Sequence, residues 1–496
     1  MRFDRMRTIF WLGTGLAAGM ALAWGVSSTD QLTEGGATAI AETPPPARVA
    51  PASQAQVQLS YAPVVQKAAP AVVNIYTRKI VRQSPMMSDP FFRFFFGDRA
   101  GAGAGRERVQ SALGSGVIVR ADGLIVSNRH VVGDADEIQV VLADRREFEG
   151  KVVFQDPRSD LALVRIEPRG AALPVIRLGD SDRLQVGDIA LAIGNPFGVG
   201  QTVTQGIVSA VRSGGGPTDY QYYIQTDAAI NPGNSGGALV GMSGELIGIN
   251  TFIASPTGGS VGVGFAVPVN LVRAILPAAT TGKVVRPWLG LEGQAIDADL
   301  AATLNLDRPR GVLVNRLNAG SPAATAGVKP GDVIAAIDGQ PVDDTETLQF
   351  RIATKAVGTR AALTVIRDGK SFNLPIALVA PPENPPRGLT WLDGQHAFAG
   401  VRVGNLSPAY AQELGGGLPD KGVVVVELQP SSPAARLGLL RPGDLLDGIN
   451  GKRVTSVSDL RAALNGVAGA MSYRIVRDGR LAECAIRPPA YISCRQ

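Results

Sequence analysis

Between about residue 58 and residue 276, apolar residues come in short runs cut by glycine and polar turns: "GSGVIV", "GLIVSN", "EIQVVL", "LALVRI", "DIALAIG", "GIVSAV", "ELIGIN" and "GVGFAVP". The runs are rich in β-branched residues, and little helical period lies between them. Such spacing predicts many short strands closing into a barrel or packing as a sandwich. A stretch of over 200 residues in this style is too long for one barrel, so two are expected.

The C-terminal half follows a different pattern and repeats it. "SPAATAGVKPGDVIAAIDGQPV" at 321–342 matches "SPAARLGLLRPGDLLDGINGKRV" at 432–454, and "VIRDG" at 365–369 matches "IVRDG" at 475–479. Two like modules offset by about 110 residues follow. Ser321 and Ser432 read as N-caps, with Pro322 and Pro433 at the first helical position. Gly327 and Gly438 end those short helices, and "IDG" or "ING" makes a hairpin turn. "APPENPPRG" at 380–388 reads as a stiff spacer between the modules.

The N-terminus carries Arg2, Arg5 and Arg7, then 18 uncharged residues from Ile9 to Val26. This is the pattern of an export signal, with "ALA" at 21–23 as a cleavage site, and the run is also long enough to stay as a membrane anchor. Either outcome sends the remainder out of the cytoplasm. Residues 1–26 are therefore read as signal peptide or anchor, and residues 27–57 as a Pro/Ala-rich linker.

Composition narrows the function class. A net charge of +5 over 496 residues, without basic blocks, argues against nucleic acid as a partner. The only cysteines are Cys484 and Cys494, compatible with a local disulfide or with two free thiols. Together with only His130 and His396 they form no metal-ligand cluster, and neither a metal nor another cofactor is expected.

"NPGNSGGALV" at 231–240 sets one serine among glycines, as a plain turn or as an exposed nucleophile. A serine hydroxyl attacks only when a base takes its proton and a third group orients that base. Gly233-Asn234-Ser235-Gly236-Gly237 also fits the G-x-S-x-G elbow, but that elbow needs a following helix and a downstream histidine. Here strand residues and glycine turns follow, and the downstream His396 lies in another module. The order histidine, aspartate, serine remains. His130, in "GLIVSNRHVVG", ends an apolar run. Asp160, in "DPRSDLALVRI", directly precedes an alternating strand that can carry it inward. Asp134, Asp136, Asp144 and Asp156 read as turn or surface acids.

"SNRHVV", "DPRSDLALVRI" and "NPGNSGGALV", followed by paired repeats, resemble the HtrA/Deg (protease Do) family of trypsin-fold serine endopeptidases, in its bacterial periplasmic form with two PDZ domains. The resemblance covers about residues 58–490. It implies a mostly β chain: a trypsin-like double β-barrel at 58–278, then α+β PDZ domains at 286–380 and 398–490, with a linker at 381–397. It makes His130 the general base, Asp160 its partner and Ser235 the nucleophile. The N–H groups of Gly233, Asn234 and Ser235 become the oxyanion donors. Ala229 stands where trypsin-like enzymes place a charge-selecting acid; with Ile230 it implies a small neutral specificity pocket. Asp227 points elsewhere.

The same resemblance makes the repeats readers of C-terminal or hydrophobic peptides, which join a sheet edge as an added strand. Leu289-Gly290-Leu291 would hold the terminal carboxylate in the first module. Phe398-Ala399-Gly400-Val401 would do so in the second, with Ala399 where the pattern has a larger apolar residue. "DPFFRFFFGD" at 89–98 reads as an exposed interaction loop, or else as core, and the resemblance gives it a part in assembly and in holding the resting site off. The implied function is a PDZ-regulated endopeptidase of the cell envelope, homotrimeric or in larger cages, that degrades unfolded or misfolded proteins and also holds them. The alternatives are a holding chaperone with an idle protease and a membrane-anchored regulatory protease.

Overall fold

The computed structural model describes residues 60–81, 108–133, 135–195, 200–214, 220–254, 259–415, 418–419, 421–467, 469–477, 479–487 and 491–495. The N-terminal segment and "DPFFRFFFGD" lie outside the described residues, as does Asp134. The first barrel holds β1 (Val72–Val81), β2 (Arg108–Arg120), β3 (Leu124–Asn128), β4 (Glu137–Val141), β5 (Glu147–Asp156) and β6 (Leu161–Ile166). Their order is β1-β2-β3-β6-β5-β4, and β4 closes on β1. The helical turn α1 (Arg129–Val132) follows β3.

The second barrel holds β7 (Ile189–Gly194), β8 (Thr202–Ser213), β9 (Tyr222–Thr226), β10 (Ala238–Val240), β11 (Leu246–Ile253) and β12 (Gly264–Pro268). It closes in the order β10-β11-β12-β9-β8-β7. Alternation explains the half-wet strands: β4 buries Ile138 and Val140 and exposes its charged and amide neighbours. β3 and β11 are buried along their whole length, because one face fills a barrel and the other meets the neighbouring barrel. One apolar cluster runs through both, joining Val117, Leu124 and Leu161 to Leu191, Ile193 and Phe252. The expected double barrel is present.

The first repeat folds as β13 (Leu291–Ala295), β14 (Val312–Leu317), β15 (Val333–Ile337), β16 (Gln340–Pro341), helix α2 (Thr345–Ala353), β17 (Arg360–Arg367) and β18 (Lys370–Ala377). The second has β19 (Thr390–Trp391), β20 (Val401–Leu406), helix α3 (Pro408–Leu414), β21 (Gly422–Leu428), β22 (Leu445–Ile449), β23 (Lys452–Arg453), helix α4 (Val457–Leu464), β24 (Met471–Arg477), β25 (Arg480–Arg487) and β26 (Tyr491–Arg495). Ser321 and Ser432 cap their short helices, accepting the N–H of Ala324 and Ala435 at 3.2 Å each. Asp338-Gly339 and Asn450-Gly451 both turn with positive φ, as a tight hairpin between right-twisted strands requires. The second module's sheet extends past 398–490 in both directions, because β19 pairs with β20 and β26 with β25. Cys484 and Cys494 face each other across β25 and β26 and form a disulfide.

The first module is bolted to the barrels at two places. Asp156 is a buried ion-pair partner of Arg286, and it also accepts the Ser159 hydroxyl at 2.5 Å. This corrects its reading as a turn or surface acid; the cation that makes burial tolerable lies 130 residues away in sequence. Arg158 and Arg286 both stack on the Tyr220 ring, at 5.0 and 5.1 Å from its centre. At the second place Phe350 of α2 stacks on Tyr222 of β9 at 4.0 Å, and Arg351 pairs with Asp182 at 2.5 Å. Burial pushes the Tyr222 phenol above its ordinary pKa, with Arg351 opposing. Arg286→Ala would strand the Asp156 carboxylate in the interior. It is expected to cost about 3 kcal/mol, read as a lower midpoint for separation of the first module by limited proteolysis.

Candidate active site

The first turn of a helix leaves backbone N–H groups without intrahelical partners, and Asp160 takes two of those in α1. Its carbonyl accepts the Arg129 N–H at 2.8 Å, and its Oδ1 accepts the His130 N–H at 3.0 Å. Its Oδ2 lies 2.6 Å from His130 Nδ1. One carboxylate thus grips both the backbone and the ring of the same histidine. Asp160 is only 3% exposed and sits at φ +55°, a left-handed conformation that Asp tolerates better than most residues. The strand-start position predicted for it carries the side chain inward as expected.

Ser235 lies between β9 and β10, in a turn held from both barrels. Its carbonyl accepts the Ser115 N–H of β2 at 2.9 Å, and its hydroxyl donates to the Thr251 carbonyl of β11 at 3.0 Å. The two halves of the site are laced together by Asn128, whose amide donates to the Asp160 carbonyl and to Thr251 Oγ1, both at 3.1 Å. Gly236 has φ +82°, and a Cβ there would fall 2.1 Å from the Ser115 carbonyl oxygen. No side chain fits between the nucleophile's turn and the first barrel, which explains glycine at that position.

The N–H groups of Gly233 and Ser235 take no acceptor among the described residues. The Asn234 N–H is donated to the Asn231 carbonyl at 2.9 Å, so in this conformation it is spent on the turn. The Gly233 carbonyl is fixed by the Ser115 hydroxyl at 2.7 Å, and that hydroxyl in turn accepts the Asn195 N–H at 3.0 Å. Ser115, Asn128 and Thr251 were not singled out from the sequence. The small residues of "GSGVIV" were the only local sign that β2 would run close under another loop.

Ile230 is buried in the core of the second barrel, and the Ala229 carbonyl accepts the Thr204 hydroxyl at 2.8 Å. The Asp227 carboxylate accepts the Ile207 N–H at 2.7 Å, so its charge is committed to β8. A groove of about 560 Å³ runs between β13 and α2, with Leu289, Gly290 and Leu291 at one end and Leu348 and Ile352 along the helix. Across that end lies α3 of the second module. There the Gln412 amide accepts the Arg286 N–H at 3.2 Å and donates to the Arg286 carbonyl at 3.1 Å. In the second module Phe398 is buried against Tyr473, while Ala399 and Gly400 turn into β20, which starts at Val401. His396 lies apart from His130, in a polar turn of this module, where burial lowers its pKa.

Residues 114–249 match the trypsin-like peptidase domain family, and residues 287–378 and 424–470 each match a PDZ domain family. Periplasmic serine endoprotease DegP of Escherichia coli K12 is 39% identical over 458 residues, 87% of this chain and 92% of its own. A probable periplasmic serine protease do/HhoA-like protein of Haemophilus influenzae is 41% identical over 437 residues, 85% and 90% of the two chains. Periplasmic pH-dependent serine endoprotease DegQ of E. coli K12 is 39% identical over 421 residues, 84% and 89%. Among solved structures, an HtrA-type protease AlgW with a decapeptide is 44% identical with a TM-score of 0.47, covering 66% of this chain and all (100%) of that one.

Proposed function

The chain belongs to the DegP/DegQ family of trypsin-like serine endopeptidases with PDZ domains, and we propose that it works in the periplasm, cutting unfolded or misfolded polypeptides under the control of its PDZ modules. The observation that carries the chemical part is the double grip of Asp160 on His130 beside a serine turn with two N–H groups that take no acceptor among the described residues. In the proposed mechanism the Ser235 hydroxyl leaves the Thr251 carbonyl and gives its proton to the imidazole as Oγ attacks the scissile carbonyl. Asp160 holds Nδ1 protonated, so Nε2 is the base, and it stabilises the imidazolium that forms. The N–H groups of Gly233 and Ser235 receive the oxyanion, and the imidazolium protonates the leaving amine. Water then repeats the sequence on the acyl-enzyme. The apolar surroundings of Ala229 and Ile230 favour small aliphatic side chains at the cleaved bond.

Regulation is read from the contacts of α2. One face lines the peptide groove and the other stacks on β9, the strand that leads toward the Ser235 turn. The groove also supports a holding role for unfolded chains, and the family resemblance supports a homotrimer assembled with the help of "DPFFRFFFGD". Among the described residues no helix is long and apolar enough to cross a membrane. Export with cleavage after Ala23 predicts a mature N-terminus near residue 24, checked by intact mass. A fluorophosphonate is expected to label activated protein at Ser235 and nowhere else. Labelling at another residue, or none, would remove this mechanism. Light scattering of the mature protein tests the trimer, and a monomer mass would refute it.

A further inference from the structure

The two PDZ modules differ at the edge where a peptide would add. In the first, β13 has β14 on one side and no strand on the other among the described residues. In the second, the corresponding edge of β20 is taken by β19, with Thr390 opposite Val403 and Trp391 opposite Arg402. The pairing runs on beyond the strand. The Leu392 N–H donates to the Val401 carbonyl, and the Leu392 carbonyl accepts the Gly400 N–H, both at 2.8 Å. Gly400 is the glycine of the loop that would receive a terminal carboxylate, so the Leu392 carbonyl occupies that place.

The side chains follow the same logic. Strand addition reads alternate residues, and here these are Thr390 and Leu392. Leu392 is 2% exposed, packed with Phe398, Leu460 and Leu464 in the module's core. Thr390 Oγ1 accepts a hydrogen bond from Arg461 of α4 at 2.8 Å. Trp391, between them, is half-buried.

We propose that Thr390-Trp391-Leu392 is a built-in ligand of the second PDZ module. The site it fills takes extended C-terminal peptides with a hydrogen-bond acceptor third from the end and an aliphatic last residue. It takes them only when the segment lifts out. This rests on the reading of the modules as peptide readers. A tethered segment competes at an effective concentration of about millimolar, so weak free peptides lose to it. A free C-terminus brings what the segment lacks: a full negative charge at the Gly400 N–H, where the chain instead continues into Asp393.

The test uses the full-length chain carrying Ser235→Ala, so that the probe is not cut. The probe is a fluorescent peptide ending Thr-Trp-Leu with a free carboxylate and a photo-crosslinking residue fourth from the end; labelled sites are mapped by mass spectrometry. Leu392→Ala is expected to raise labelling of β20 and α4 about tenfold or more. Thr390→Val, which removes the exposed hydrogen bond from Arg461 and a longer one to the Trp391 carbonyl and spares the core, is expected to raise it about threefold. Adding Gly400→Val should abolish the gain, because a Cβ there already meets Ser432 Cβ at 3.0 Å and the backbone has φ +78°. Labelling of the first module should not change. Second-module labelling that is equally strong with the segment intact overturns the proposal. So does its absence from both released variants while the first module is labelled. If neither module is labelled, the peptide-reader role itself fails and the proposal goes with it.

Discussion

Ser235→Ala is expected to lower casein hydrolysis about a millionfold, to background, with little change in thermal stability. The substitution removes one oxygen and one hydrogen bond, to the Thr251 carbonyl. The hold of Ser115 on the Ser235 carbonyl is backbone to backbone and survives, so the turn should keep its shape. Fold and activity therefore separate cleanly in this variant. Its ability to suppress aggregation of an unfolded client is the companion measurement. Retention shows that holding and cutting are distinct activities; loss assigns holding to the protease cleft. Casein cleavage persisting in purified variant would exclude Ser235 as nucleophile.

Asp160→Asn is expected to reduce kcat about ten-thousandfold with KM nearly unchanged. Oδ1 faces a backbone N–H that only donates, so an amide must put its oxygen there. Its NH₂ then points at His130 Nδ1, at a separation that is now 2.6 Å. The imidazole must answer with a bare Nδ1, which moves its proton to Nε2. That is the nitrogen required to be a base. The tautomer, not the position of the ring, is what fails. Fluorophosphonate labelling should slow in parallel with kcat, while binding of a substrate-like peptide stays constant. A drop confined to KM would instead make Asp160 a residue of substrate binding.

The parts of this molecule legible in the sequence are those encoded locally. Short alternating runs announce the barrels, because each strand must bury one face whatever its partner. The repeated "SPAA" and "PGD" blocks announce the paired modules, because caps and turns use residues only a few positions apart. Asp160 was separable from its neighbours by the apolar strand that follows it. Asp156 was not, since nothing near it in sequence hints at Arg286. Ser115 was hidden for a related reason: its significance comes from Gly233 and Asn195, which reach it only after both barrels close. Thr390-Trp391-Leu392 reads as linker because a strand of two residues has no period to detect. Distance along the chain, more than chemistry, set what was missed.

Asp156 and Asp160 stand four positions apart on a single turn. The first is tied to the root of the first PDZ module through Arg286, the second to the imidazole. A tug on a captured client would therefore be transmitted, as strain along one short piece of backbone, to the aim of a proton acceptor. Under the proposed function, traction on cargo and readiness to cut would be mechanically in series.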